Sequence, residues 1–233
     1  MCREVEVSRL ATKFSQSNQK AQLIAYIVAG YPNPNETVDL LLAMQAGGAD
    51  VLELGVPFTD PQADGTTIQK ANEGALKFEV TLKNCIEIVT VARAKGLTVP
   101  VVLMGYYNPF MAFGLDNLMD SCKTAGVDGF IIVDLPPEEG KIFVEKASAR
   151  GLSYIPLVSP TTTDDRIKYL SSNAGSFLYC VSVTGVTGAR GALPVTSKSL
   201  STVCAQTRVC PWPSDSASLP RSRWRKYLLW RRE

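Results

Sequence analysis

Along most of the chain, apolar residues gather into short unbroken runs separated by amphipathic stretches and Gly- or Pro-rich breaks. The first run, residues 22–30 (Gln-Leu-Ile-Ala-Tyr-Ile-Val-Ala-Gly), is too short for a buried helix and stops at Gly30-Tyr31-Pro32, which predicts a strand. Val51–Leu54, Val99–Met104, Gly129–Val133, Tyr154–Val158 and Phe177–Val181 read the same way. Between these runs the apolar spacing is helical. Asn35 is placed to cap a helix carrying Val38, Leu41, Leu42 and Ala46 on one face and ending at Gly47-Gly48. Helical spacing returns over 67–77, from Leu82 to Ala94, and through Phe113, Leu115, Leu118, Met119 and Cys122 up to Gly126. Glu138–Arg150, with Pro137 suited to a first turn, and a helix opened by Thr163-Asp164-Asp165 and running to Ser171 complete the alternation.

Strands that are continuously apolar, rather than alternating, are buried on both faces, so the pattern predicts a parallel sheet covered by helices. Polar, Gly-rich segments collect after strands and not after helices. In a (β/α)8 barrel such loops build the active site at one face. An open doubly wound sheet is the alternative for six strands, but no GxGxxG follows the first strand, so its dinucleotide-binding form has no support.

Composition narrows the picture only a little. The chain has 233 residues, 45% hydrophobic and 20% charged, with a net charge of +2, and nothing in that balance calls for a nucleic-acid partner. Six cysteines (Cys2, Cys85, Cys122, Cys180, Cys204, Cys210) form no CxxC pair, and histidine is absent, so no metal site is expected and reduced thiols in the cytoplasm are. No apolar span is long enough to cross a membrane and no signal core is seen.

The chemistry concentrates in residues 51–69. Glu53 is a carboxylate inside a strand of Val and Leu, and Asp64 ends the turn-rich loop that follows. Burying an unpaired charge is costly, so an acid in such a strand needs a reason. One reading is an acid/base site; the other is an internal ion pair at Glu53 with Asp64 merely capping a helix at Thr66–Gln69.

Leu-Glu-Leu-Gly-Val-Pro-Phe-Thr-Asp-Pro-Gln-Ala-Asp-Gly-Thr-Thr-Ile-Gln resembles the signature of the tryptophan synthase alpha subunit family. Val-Ala-Gly-Tyr-Pro, Leu-Met-Gly-Tyr-Tyr-Asn-Pro, Val-Asp-Leu-Pro-Pro-Glu-Glu and Gly-Val-Thr-Gly-Ala-Arg follow in the family's order, covering about residues 20–196. The resemblance implies a (β/α)8 TIM barrel, of which about six of eight β/α units are present. It also implies retro-aldol cleavage of indole-3-glycerol phosphate to indole and glyceraldehyde 3-phosphate, with no cofactor in this chain. Pyridoxal phosphate belongs to the beta subunit, or to a fused beta domain, which is the implied partner.

By the same resemblance Glu53 is the general acid, held protonated by its apolar strand, and Asp64 accepts a hydrogen bond from the indole N–H. Tyr26, Tyr106 and Tyr179 line the indole slot or pack the barrel core, and Asp134 organises loops or touches substrate. Thr187 supports Asp64, and Gly188 approaches the phosphate through its backbone N–H. Two rival readings are a non-catalytic partner that only docks on the beta subunit and a different phosphate-binding barrel enzyme such as a sugar-phosphate isomerase.

Some positions depart from the family pattern. Gln62 stands where the family usually has Leu, and Thr66 where it has Pro, which frees the backbone just after Asp64. The family's Gly-Phe-Gly-Ile-Ser after strand seven and its Gly-Ser segment after strand eight do not occur here. Residues 1–203 therefore read as an incomplete barrel domain and 204–233 as a non-homologous, out-of-frame and disordered tail, rich in Arg and holding all three tryptophans. With the phosphate loops missing, little or no indole release is expected of this chain. Pro211–Pro220 can be encoded CCT TGG CCG TCG GAT TCG GCA TCT CTA CC, which from its third base reads Leu-Ala-Val-Gly-Phe-Gly-Ile-Ser-Thr. The coding DNA is expected to spell that strand-seven motif in a shifted frame; sequencing that finds it in neither shifted frame refutes the reading.

Overall fold

The computed structural model describes residues 9–15 and 22–181. Five parallel strands run side by side in chain order: β1 (Ile24–Val28), β2 (Val51–Gly55), β3 (Val101–Gly105), β4 (Gly129–Ile132) and β5 (Ser153–Tyr154). β6 (Leu157–Val158) pairs in parallel with β7 (Tyr179–Cys180). The single strand expected over 154–158 is thus two short pieces of one run. Its first part bonds β4 (Ile155 N–H to Phe130 O, 3.0 Å), and its second part accepts from β7 (Tyr179 N–H to Pro156 O, 2.9 Å). Pro156, having no N–H, sits where the run changes partner. Six strand positions of a (β/α)8-type wall are laid down in sequence, with β1 and β7 at its two ends among the described residues.

The pleat sorts the strand side chains into two layers. Leu52, Leu54, Val101, Leu103, Phe130 and Ile132 face outward into a helix-covered core. Over them lie α2 (Thr37–Ala46), α4 (Leu82–Ala94), α6 (Leu115–Ala125) and α7 (Lys141–Ala149). α4 shows how a helix meets this layer: Leu82, Cys85, Ile86, Val89 and Ala92 recur at helical spacing and are all buried. Its start is fixed by a reciprocal cap between Thr81 and Asn84, and Gly126 ends α6 in the left-handed conformation (φ +82°). A chain of edge-to-face rings, Phe110–Phe130 (5.8 Å), Phe130–Phe143 (5.2 Å) and Phe143–Tyr154 (6.3 Å), binds one side of this layer. Each fully buried Leu or Phe here contributes roughly 1.5–3 kcal/mol. Cys85 and Cys122 are free, and burial pushes each thiol up to about 12, so both act as small apolar side chains.

The inner layer is smaller: Val51, Val102, Met104, Ile131, Ile155 and Phe177, with Ile24, Tyr26 and Tyr179 against them. One end is closed by α1 (Arg9–Ser15), whose Leu10 and Phe14 pack into this cluster, Phe14 lying 4.7 Å from Phe177. Asp128, just before β4, holds the closure together. Its carboxylate accepts from Arg9 Nε (2.7 Å), Arg93 Nη2 (2.9 Å) and the Val101 N–H (2.8 Å). Arg93 also donates to the carbonyls of Leu97, Val99 and Gly126, which satisfies a guanidinium that is only 13% exposed.

Several boundaries differ from the sequence reading. Asn33, not Asn35, is the cap: its side chain accepts the Asn35 N–H at the head of a short 3-10 turn, Pro34–Glu36, that leads into α2. α7 begins at Lys141 and not near Pro137, because residues 137–139 make a turn closed by the Glu139 and Gly140 N–H groups on Pro136 O. α5 (Tyr107–Ala112), α3 (Thr66–Leu76) and α8 (Asp164–Asn173) complete the helices among the described residues; α1 and α5 were not anticipated. No helix among the described residues is long and apolar enough to cross a membrane. Removing the buried acceptor by Asp128→Ala leaves the Arg93 guanidinium unneutralised and should cost about 3–5 kcal/mol, read as a lowered urea midpoint, with Asp128→Asn losing less.

Candidate active site

β2 and the segments that follow β2, β3 and β4 carry the candidate polar groups. Glu53 lies at the centre of β2, register-paired with Tyr26 of β1 and Val102 of β3, and is fully buried (0% exposed). It shares the inward pleat of β2 with Val51 and Gly55. Gly55 has a steric reason to be glycine: a Cβ there would collide with the Tyr26 hydroxyl. The missing side chain lets the Tyr26 ring cross β2 one pleat beyond Glu53. The other side of that ring rests on Val28, Ile68, Ala71 and Ala75. Tyr179, on β7, joins the same inner layer.

Asp64 is presented by the turn at 61–65, where its N–H donates to Pro61 O at 3.1 Å. α3 is preceded by Gly65 and receives no side-chain cap, while Asp64 Oδ2 accepts from the Tyr106 hydroxyl at 3.1 Å. The same phenol oxygen accepts the Ala63 N–H at 2.9 Å. Tyr106 therefore holds two successive residues of the loop, and Phe58 stacks on its ring at 5.0 Å. Burial, reinforced by the negative charge of Asp64, holds the Tyr106 phenol well above its ordinary value of 10. It stays neutral and remains a donor.

Two residues of α3 fasten the loop from the other side. The Gln69 amide donates to Asp64 O at 2.9 Å; the buried Asn72 accepts the Phe58 N–H at 3.4 Å and donates to Ile68 O. Neither stood out as functional in the sequence. Asn72 carried a usable signal, being a polar residue spaced with Ile68 and Ala75 on the apolar face of its helix. Asp134, at the mouth of β4, meets α5, where its Oδ1 accepts the Tyr107 N–H at 2.7 Å. The structure thus brings Tyr26 beside Glu53 and Tyr106 against Asp64. Thr187 and Gly188 lie outside the described residues. Among the described residues, no cluster of acids, Cys or His could hold a metal ion.

A model of the tryptophan synthase alpha chain family matches residues 13–211. The chain is 47% identical over 186 residues to the tryptophan synthase alpha chain of Roseiflexus sp. (strain RS-1), covering 79% of this chain and 71% of that one. It is 46% identical over 179 residues to the tryptophan synthase of Saccharomyces cerevisiae, covering 77% of this chain and 25% of the yeast protein. Among solved structures, one on mutual activation of the tryptophan synthase a2b2 complex of Pyrococcus furiosus superposes with a TM-score of 0.74 at 40% identity, over 81% of this chain and 75% of that one.

The raised phenol of Tyr106 fixes a sign for stability against pH. Its contribution is whole below the unfolded-state value near 10 and is lost as pH rises past it, because the unfolded chain then ionises first. The stability difference between the parent chain and Tyr106→Phe should therefore shrink above pH 10, as measured by urea denaturation at a series of pH values.

Proposed function

The chain belongs to the tryptophan synthase alpha chain family, and from that premise we propose how its residues divide the cleavage of indole-3-glycerol phosphate into indole and glyceraldehyde 3-phosphate. The observation that carries the assignment is the pairing of a fully buried Glu53 on the inward pleat with Asp64 held at the mouth of the same strand.

Breaking the bond between the indole ring and the glycerol chain requires the ring carbon at that bond to accept a proton. Glu53 is the acid. Its burial on a strand of Val and Leu supports that role, because burial disfavours the charged form. Protonation leaves positive charge on the ring, centred at the nitrogen. Asp64 accepts the indole N–H and opposes that charge as it develops, when the interaction is worth most. The C–C bond then breaks: its electrons restore the aromatic ring, and the neighbouring hydroxyl loses its proton to become the aldehyde. The reaction is proton-neutral overall, so the proton given to carbon is recovered from the hydroxyl, and no cofactor in this chain is called for.

Tyr26 and Tyr179 of the inner layer, with Tyr106 stacked on Phe58, are assigned by family position to an apolar slot for the flat ring. Tyr106 has the further task of keeping Asp64 aimed, a role its two hydrogen bonds support. Thr187 and Gly188 are assigned by family position to the support of Asp64 and to the phosphate. The partner is the tryptophan synthase beta chain, where pyridoxal phosphate resides, and the compartment is the cytoplasm. Glu53→Gln removes the proton while keeping the shape. In a chain with the family's strand-seven and strand-eight segments restored it should lower indole release by about 10²–10⁴-fold; undiminished release would exclude Glu53 as the acid.

A further inference from the structure

Asp134 is exposed at the mouth of β4, and its nearest described bond is not to a group of its own loop. It accepts the N–H of Tyr107, the first residue of α5, at 2.7 Å. The residue before that helix, Tyr106, is extended (φ −99°, ψ 153°) and supplies no side-chain cap. It has no way to do so, because its phenol is committed to Ala63 and Asp64 at 2.9 and 3.1 Å. A carboxylate from the neighbouring strand therefore does the capping, and the opening of a helix is where negative charge is favoured. The loop that carries Asp134 is fastened in turn. Tyr154 donates to Leu135 O at 2.9 Å, and Arg166 of α8 holds Glu138 through both guanidinium ends, Nη2 at 2.9 Å from Oε2.

We propose that Asp134 is a positioning residue for Asp64: by fixing the start of α5 it sets the height of the Tyr106 phenol, and through that phenol the backbone and carboxylate of residues 63–64. The functional value of this rests on the reading of Asp64 as acceptor of the indole N–H. The geometric claim does not. The route has two hydrogen-bonded links, Asp134 to Tyr107 and Tyr106 to Ala63 and Asp64, joined by one peptide unit. It runs across three strand mouths, β4 to β3 to β2.

Amide hydrogen exchange followed by NMR on the full 233-residue chain tests it without relying on turnover. Asp134→Ala should speed exchange at Tyr107 and, through the phenol, at Ala63 by about ten- to a hundredfold, the range set by losing a hydrogen bond to a charged group. Amides inside β2 and β3 should keep their protection and so report an intact wall. Asp134→Asn, whose amide oxygen still accepts the Tyr107 N–H, should restore Ala63 to within about threefold of the parent. Unchanged exchange at Ala63 in Asp134→Ala, or equal loss in Asp134→Asn, overturns the proposal.

Indole titration separates this outcome from the functional reading. Asp134→Ala should weaken indole binding no further when Tyr106→Phe is already present, because both act through one phenol. Additive weakening would place Asp134 on the ligand itself and also overturn the proposal. If Asp64→Ala, which removes the acceptor, leaves indole affinity unchanged, the assignment of Asp64 fails, whatever the exchange rates show.

Discussion

The two-residue period of a parallel strand is the constraint on which the rest of this molecule is built. In β2 it sends Leu52 and Leu54 outward under the helices and turns Val51, Glu53 and Gly55 inward. The outward half can be wholly apolar because four helices cover it, and that layer supplies most of the burial. The inward half is thereby released from uniform hydrophobicity. It can hold a carboxylate, a glycine left bare for a tyrosine ring, and small aliphatics without losing the fold. A one-residue slip of register would exchange the two sets and place Glu53 among the leucines.

Polar groups at the mouth of the wall are held by their neighbours more than by their own segments. The loop after β2 has few internal bonds; it is gripped by Tyr106 from β3 and by Gln69 and Asn72 from α3. Asp134 extends the same arrangement by one more strand. A site assembled this way is only as rigid as the outer layer that spaces its strands.

Much of this was legible in the sequence, for identifiable reasons. Unbroken apolar runs such as Val101–Gly105 and the helical stripe Leu82–Ala94 carry strong periodic signals bounded by glycine or a cap, and they fold where that spacing places them. α5 was illegible because its Tyr-Asn-Pro-Phe segment is ordered by a carboxylate 27 residues away, not by its own pattern. α1 was missed because seven residues with two inward apolar positions give no period to read; its order comes from Asp128 and the inner layer. Strand five divided because a proline removes one N–H from a run otherwise typical of a strand. For the site, an acid among Val and Leu was visible at once. The holders of Asp64 were not, since Gln69 and Asn72 look like ordinary helix polar residues until the loop is laid against them.

The plug formed by α1 has a consequence for the order in which the molecule comes into being. Its anchor at Asp128 is reached from Arg9 across 119 residues, and the ring that Phe14 meets, Phe177, lies just before β7. Neither partner exists when the first helix leaves the ribosome. The strands β1 to β4 register on one another in the order they are made, each within reach of the one before, whereas the closing contact waits until most of the chain has been synthesised. During that interval the inner layer stays open at one end. α1, translated before every strand it closes, is thus among the last elements to settle, and the nascent chain carries its own stopper until there is a vessel to close.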